Sequence, residues 1–307
     1  MSRTQRSRHV ESSAVAAIIP AVAVVPVWLV ALFVFWFPLN LLLKVSFWLF
    51  AVLYLAAGVL LFFRPVQRVL LARLLGARRP TLEESSIIDP AWRVVTQAAR
   101  TQPNRYVLSV LPADEVNAFA SGGHLVVVTT YALEVLPPAE LAGVLAHELS
   151  HHLGLHTIAL TVAQWLSLPI VLLARIGFFF RSVAQAATDT FARRSSGFTI
   201  IGNIIGGLIN AVAWLFLLGI LATNAIANAV GRNAEFQADH RVVAIGFGRE
   251  LRAALQRFVS SGLAERTGSW WQRLLTSHPP ARTRIAKIDN QIRAQHERQR
   301  FLEEDWS

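Results

Sequence analysis

The sequence predicts a mainly α-helical integral membrane protein, with about four transmembrane helices and a cytoplasmic α+β domain that carries a small β-sheet. Three observations lead there. Of 307 residues, 54% are hydrophobic and only 16% charged, with mean hydropathy +0.45, whereas soluble chains carry about 25% charge. Residues 15–37 contain no charge and residues 41–63 only Lys44, and each run meets the roughly 20 residues a helix needs to cross a bilayer core. Two further uncharged runs follow at 157–174 and 198–230, the latter carrying Asn203, Asn210, Asn224 and Asn228, while 64–143 and the chain beyond 230 have ordinary globular composition.

Taken in order, 1–14 form a basic tail and 15–63 a transmembrane hairpin. Residues 64–155 and 231–307 are two parts of one polar domain, and 156–230 form a second membrane hairpin. The first apolar run exceeds the about 7–15 residues of a signal-peptide core and a second run follows almost at once, so it reads as a retained span. Arg3, Arg6 and Arg8 precede the hairpin, Arg64, Arg68, Arg73, Arg78 and Arg79 follow it, and the tip at 38–40 is uncharged. Basic flanks favour the cytoplasmic side. That places the chain in a cell (inner or plasma) membrane, multi-pass, with its N-terminus and polar domain cytoplasmic and the lipid bilayer as a partner. The net charge of +10 comes with no basic-aromatic surface module, so no nucleic acid is expected.

Within 64–143, "DPAWRVVTQAAR" (89–100) reads as a helix with Asp and Pro at its start. Residues 105–111, 115–120 and 124–130 read as short strands, the last two joined as a hairpin by "SGG". "PPAELAGVLAHELSHH" then reads as a helix, with Pro at its front and Glu140 in the first turn. Beyond 230 the pattern is helical again, and the last helix carries a docking stripe of Ile285, Ile288 and Ile292 on an otherwise solvated surface.

His147, Glu148 and His151 spell H-E-x-x-H. On a helix, the two His project from one face a turn apart and can share one Zn²⁺, while Glu148 stands beside the first of them, placed to take a proton from water. There is no Cys, so a third ligand must be His, Asp or Glu. "RNAEFQADH" (232–240) offers Glu235 and Asp239 four residues apart. Glu235 can bind the metal and Asp239 can hydrogen-bond a ligand His from behind; a solvated helix start with acidic first-turn residues is the alternative.

"NAFA" (117–120), "HELSH" (147–151), "AEFQAD" (234–239) and "SHPPARTRI" (277–285), in that order and with spans before and between, resemble the HtpX-like membrane zinc metallopeptidases, relatives of the CAAX prenyl proteases. The resemblance covers roughly 40–290. It implies a gluzincin-type zinc peptidase domain holding one Zn²⁺ per chain, with His147, His151 and Glu235 as ligands and Glu148 as catalytic base. It further implies that Asn117, Ala118 and Phe119 bind an extended substrate at an edge strand and that His278 acts catalytically on the oxyanion. Arg282 and Arg284 would assist there. The implied substrates are polypeptides, misfolded membrane proteins above all. By residue type alone, Asn117 also reads as a turn residue, His278 as a helix cap and the arginines as surface charge. The chain departs from the family pattern at His156, where an acidic residue is usual. His152 and His156 read as helix-end or interfacial residues, and His124 as a strand or turn residue.

If His147, His151 and Glu235 share an ion, 152–234 must leave and return to one membrane face. Spans near 157–177 and 198–222 satisfy this, and Gly202 and Gly206 permit close helix packing there. Arg175, Arg181, Arg193 and Arg194 flank or lie in the connection between those spans, against the positive-inside tendency, so a shallow cytoplasmic hairpin is the alternative. Specific precursor processing of the CAAX type, and a zinc-stabilised scaffold whose site is closed by His152 or Asp239, are rival readings of the function.

Overall fold

The computed structural model describes residues 18–154, 156–191, 231–260 and 280–304, with scattered positions between 204 and 214. These form two compact units, one of 59–161 with 231–260 and 280–304, the other of 18–58 with the described residues from 162 to 214.

In the second unit, α1 (Ile18–Leu43), α2 (Phe47–Leu60) and the later part of α7 (His156–Phe191) pack around Trp28, Leu32, Ala51, Ile170 and Ala174. Tyr54 stacks on Trp165 at 4.8 Å, its hydroxyl donates to the Trp165 carbonyl, and the indole N–H returns a bond to the Tyr54 carbonyl. Around this small core the outer surface is apolar: Val22, Val30, Leu42, Trp48, Val52 and Phe179 are all exposed. Such a surface suits lipid and not water.

Val25–Leu43 and Thr157–Phe179 are long and apolar enough to cross a bilayer, and a third span is counted if Phe47–Leu60 and Arg64–Leu74, parted by a bend, act as one. Of the expected run 41–63, 41–43 end α1, 44–46 break the helix and Phe47–Leu60 form α2, while α7 runs past 177 to Phe191, so Arg181 lies in a helix and not in a connection. Most of the fourth expected span, with Gly202, Arg193 and Arg194, lies outside the described residues. A side chain added at Gly206 would meet nothing within 4 Å among them, so no close helix packing is observed at that glycine.

The first unit opens with α3 (Arg64–Leu74), which includes a π-helical turn at Gln67–Leu71. Helix α4 (Leu82–Ala98) starts seven residues before the expected Asp89. Thr81 accepts from the Glu84 N–H, and the Glu84 carboxylate accepts from the Thr81 N–H, closing a capping box, with Pro90 carried inside the helix. Strands β1 (Val107–Leu111), β2 (Ala118–Ser121) and β3 (Leu125–Thr129) follow as expected in order and place. Their spatial order is β1-β3-β2, with β1 parallel and β2 antiparallel to the central β3. β3 is buried at every position, as a central strand covered on both faces must be.

A short α5 (Thr130–Val135) leads to α6 (Pro138–Leu153), then come the start of α7, the helix α8 over 231–244, α9 (Gly248–Ser260) and α10 (Ala281–Glu304). Ile88, Trp92, Val95, Val126, Val128, Leu141, Leu145, Leu149, Val242, Leu251 and Ile288 share one core, so α6 lies between the sheet, α4 and α9. The stripe expected on the last helix docks through Ile288, fully buried, and Ile292.

Helix α9 approaches α6 backbone to backbone at Gly143, where an added Cβ would lie 2.4 Å from the Leu251 nitrogen and 2.6 Å from the Glu250 carbonyl carbon. Backbone cannot yield as a side chain can. Gly143→Ala is therefore expected to lower stability by about 1–3 kcal/mol and, one turn before His147, to weaken metal retention; thermal melting and metal content of the purified variant check both.

Candidate metal centre

Helix α6 carries His147 and His151 on one face because they stand four residues apart, and both are buried together with Glu148. Its position is set at both ends. Glu140 in the first turn takes both carboxylate bonds from Arg257 of α9, at 2.7 and 2.8 Å, and the Ser150 carbonyl near the last turn accepts from Arg241 of α8. Helix α8 turns Glu235, Ala238, Asp239, Val242 and Val243 inward, which brings both acidic residues to the His pair.

His147 Nε2 lies 3.2 Å from Glu235 Oε2, His151 Nε2 lies 3.1 Å from Glu235 Oε1, and the two Nε2 atoms are 3.2 Å apart. One ligand atom from each of the three residues falls within 4.8 Å of the others, a group able to hold a metal ion. Ligand atoms at about 2.0–2.1 Å from a tetrahedral ion stand roughly 3.4 Å from one another, so the spacing and the two-imidazole, one-carboxylate donor set fit zinc.

Behind the group, His147 Nδ1 lies 3.0 Å from Asp239 Oδ1. A carboxylate only accepts, so the ring keeps its hydrogen on Nδ1 when Nε2 gives up its own to take a metal. Arg284 of α10 donates to both Asp239 oxygens at 2.7 and 2.9 Å, rests 3.2 Å from the His147 ring nitrogens and stands 3.5 Å from Glu235. Burial would raise the Asp239 carboxyl, but His147 and Arg284 outweigh it and bring it down to about 2. Burial and the Arg284 charge would lower His147, yet Glu235 and Asp239 prevail and raise it to about 9. A metal must then displace a proton below that pH. Metal affinity is expected to fall by up to about tenfold per pH unit below about 9, measurable by titrating metal into the metal-free protein at several pH values.

Asn117 precedes β2 and is tied to β3, its N–H donating to Thr129 Oγ1 and its carbonyl accepting from the Thr129 N–H. Alternation along an antiparallel pair then leaves the N–H and C=O groups of Ala118 and Ala120 on the outer side of β2, which no strand covers among the described residues. The Ala118 and Phe119 side chains are buried in separate cores, so what they can offer a substrate is backbone. His278 lies outside the described residues. Arg282 is exposed on α10, and Arg284, two residues on, is the arginine that reaches the His147 cluster.

His152 stands in the last turn of α6, as expected of a helix-end residue, but it is buried and not interfacial. It is 1% exposed; Nε2 bonds the Leu125 carbonyl at 3.0 Å and Nδ1 the Thr157 hydroxyl at 3.1 Å, with the ring beside Tyr106. Thr161 continues the chain of bonds, donating to the Thr157 carbonyl and accepting from the Gly122 N–H. The β2–β3 hairpin is thereby fastened to the end of α6 and the start of α7. The side chain of His156 lies outside the described residues.

Residues 82–292 match Peptidase family M48. The chain belongs to this family. It is 30% identical over 221 residues to a protease HtpX homolog of Acidiphilium cryptum, covering 64% of this chain and 70% of that protein. It is 29% identical over 238 residues to another of Chlorobium limicola, covering 70% and 76%. Among solved structures, Ste24p of S. mikatae matches with a TM-score of 0.50 at 17% identity, covering 86% of this chain and 61% of that one. The chain therefore spans less than two thirds of Ste24p, and at that identity the likeness speaks for the fold alone. The expected kinship with HtpX-like metalloproteases holds, and the described residues include apolar helices and a His-His-Glu group consistent with it.

Proposed function

We propose that the protein is an integral-membrane zinc endopeptidase that hydrolyses peptide bonds of misfolded membrane proteins at the cytoplasmic face. In this reading, 15–63 and 156–230 are the membrane part and 64–155 with 231–307 the peptidase. The observation that carries it is the meeting of His147, His151 and Glu235 from two separated segments, with Glu148 next to His147 on the same helix. A bound zinc would polarise the scissile carbonyl and lower the pKa of a coordinated water. Glu148 takes the proton from the attacking water and delivers it to the leaving amine. Asn117, Ala118 and Phe119 align an extended substrate by main-chain pairing along the outer side of β2. His278 supports the developing oxyanion, with Arg282 at the same segment assisting; Arg284 keeps Asp239 on His147.

The scaffold alternative needs a fourth protein ligand. His152 is engaged with Leu125 and Thr157, and Asp239 with His147 and Arg284, which favours an open, catalytic site. The test is to purify the chain in detergent, measure bound metal, and follow cleavage of an unfolded membrane protein. About one zinc per chain and chelator-sensitive cleavage are expected, with Glu235→Gln losing the metal. Full metal occupancy in Glu235→Gln would remove the third-ligand assignment, and a zinc-loaded protein that cleaves nothing would remove the peptidase reading.

A further inference from the structure

Helix α3 has one face on the sheet and one face free. Gln67 and Ala72 are buried, with Leu71 and Leu75 packed beside Ala72 against Val107, Phe119, Leu125 and Val127. Five residues separate Gln67 from Ala72, a spacing that an α-helix would place about 140° apart. The π turn brings both inward, the Ala72 N–H donating to the Gln67 carbonyl five residues back. As a result Arg68, Val69, Leu70, Arg73 and Leu74 all turn outward; Val69 is 53%, Leu70 49% and Leu74 71% exposed. A free face that alternates large apolar groups with arginines suits neither water nor a hydrocarbon interior.

Two further observations name what covers it. No acidic residue occurs anywhere from residue 12 to residue 82, and among the described residues Arg68 and Arg73 form no ion pair; Arg64, at the start of the helix, bonds the Asn104 carbonyl. Only 61–63 separate the apolar helix Phe47–Leu60 from Arg64, a link that reaches no more than about 14 Å. The 14 residues of that helix rise about 21 Å, and with the link they reach across the roughly 30 Å hydrocarbon core, so in the membrane reading α3 begins at the headgroup layer.

We propose that α3 is an interfacial helix that seats Val69, Leu70 and Leu74 at the boundary of the acyl chains and binds anionic phospholipid headgroups through Arg68 and Arg73. This rests on the membrane reading above. The bilayer interface then fixes the height of the sheet, through the same helix whose inner face packs on β1 and β3.

The chain contains no cysteine, so a single introduced one takes a nitroxide label without further change. Leu70→Cys, Leu53→Cys and Gln97→Cys proteins, labelled and reconstituted in phosphatidylcholine vesicles with phosphatidylglycerol, are compared for collision with oxygen and with a water-soluble nickel chelate. The label at residue 70 should be shielded from the chelate at headgroup depth, that at 53 should lie deep, and that at 97 should be fully wet. A residue-70 label as wet as residue 97, or as deep as residue 53, overturns the proposal, the second outcome making α3 part of a re-entrant span. A wet label at residue 53 instead brings down the membrane reading itself. Enrichment of spin-labelled phosphatidylglycerol over phosphatidylcholine around the protein should fall about fivefold for each charge lost in Arg68→Gln/Arg73→Gln. Unchanged enrichment overturns the headgroup assignment.

Discussion

Glu148→Gln is expected to keep the metal and lose the reaction, with kcat lower by about 10²–10⁴-fold, the usual worth of a positioned general base. The substitution preserves size and hydrogen bonding but removes the ability to accept a proton from water. Glu148 is not one of the three residues that converge as a group able to hold a metal, and it lies buried on α6 between His147 and His151. Metal content should therefore match the parent protein, and KM should change far less than kcat, because the groups proposed to hold the substrate lie on β2. Metal analysis beside steady-state cleavage decides it. A Glu148→Gln protein that holds metal and cleaves at the parent rate would leave the catalytic base unassigned.

Much of this site was legible because its parts are local. His147, Glu148 and His151 are fixed by helical spacing alone, and Glu235 and Asp239 by the same spacing on a second helix. The strands were legible because alternation and β-branched residues mark them, and the strand expected over 124–130 is β3 at Leu125–Thr129. The start of α4 was misplaced by giving weight to Asp89 and Pro90, although Thr81 and Glu84 already spelled the stronger capping signal. Arg284 could have been preferred over Arg282 from spacing: it stands four residues before Ile288 and eight before Ile292, on the stripe that docks, and Arg282 is off that stripe. The place of His152 could not be read in this way. Its partners are the next-but-four Thr157 and the carbonyl of Leu125 in the sheet, and a backbone acceptor 27 residues away leaves no mark in sequence. The π turn at Gln67 is equally silent, since no residue type in 67–71 marks it.

The second large effect is expected at Asp239, which joins two roles that sequence spacing gave only one of. Its carboxylate fixes the His147 ring, and it also neutralises Arg284, itself 4% exposed in the core. Asp239→Asn keeps the shape but leaves a buried guanidinium without its main counter-charge, and breaking a buried pair in this way costs about 3–5 kcal/mol. Losing the acceptor behind a ligand His should also weaken metal affinity about 10–100-fold. The two effects separate by experiment. In the metal-free protein only the stability loss is read, and adding Arg284→Met to Asp239→Asn should restore much of it, because the stranded charge is gone. Metal affinity should not recover in the double variant, since His147 still lacks its partner. The pH dependence gives the sign independently. The Asp239 carboxyl is brought down to about 2 in the folded chain from an ordinary 3.8, so its contribution is complete above about 4 and disappears as pH falls through 2. Asp239→Asn should therefore flatten that limb of the acid unfolding curve. Additive losses in the double variant would mean that Arg284 and Asp239 act separately, and that α10 does not hold the metal helix through this pair.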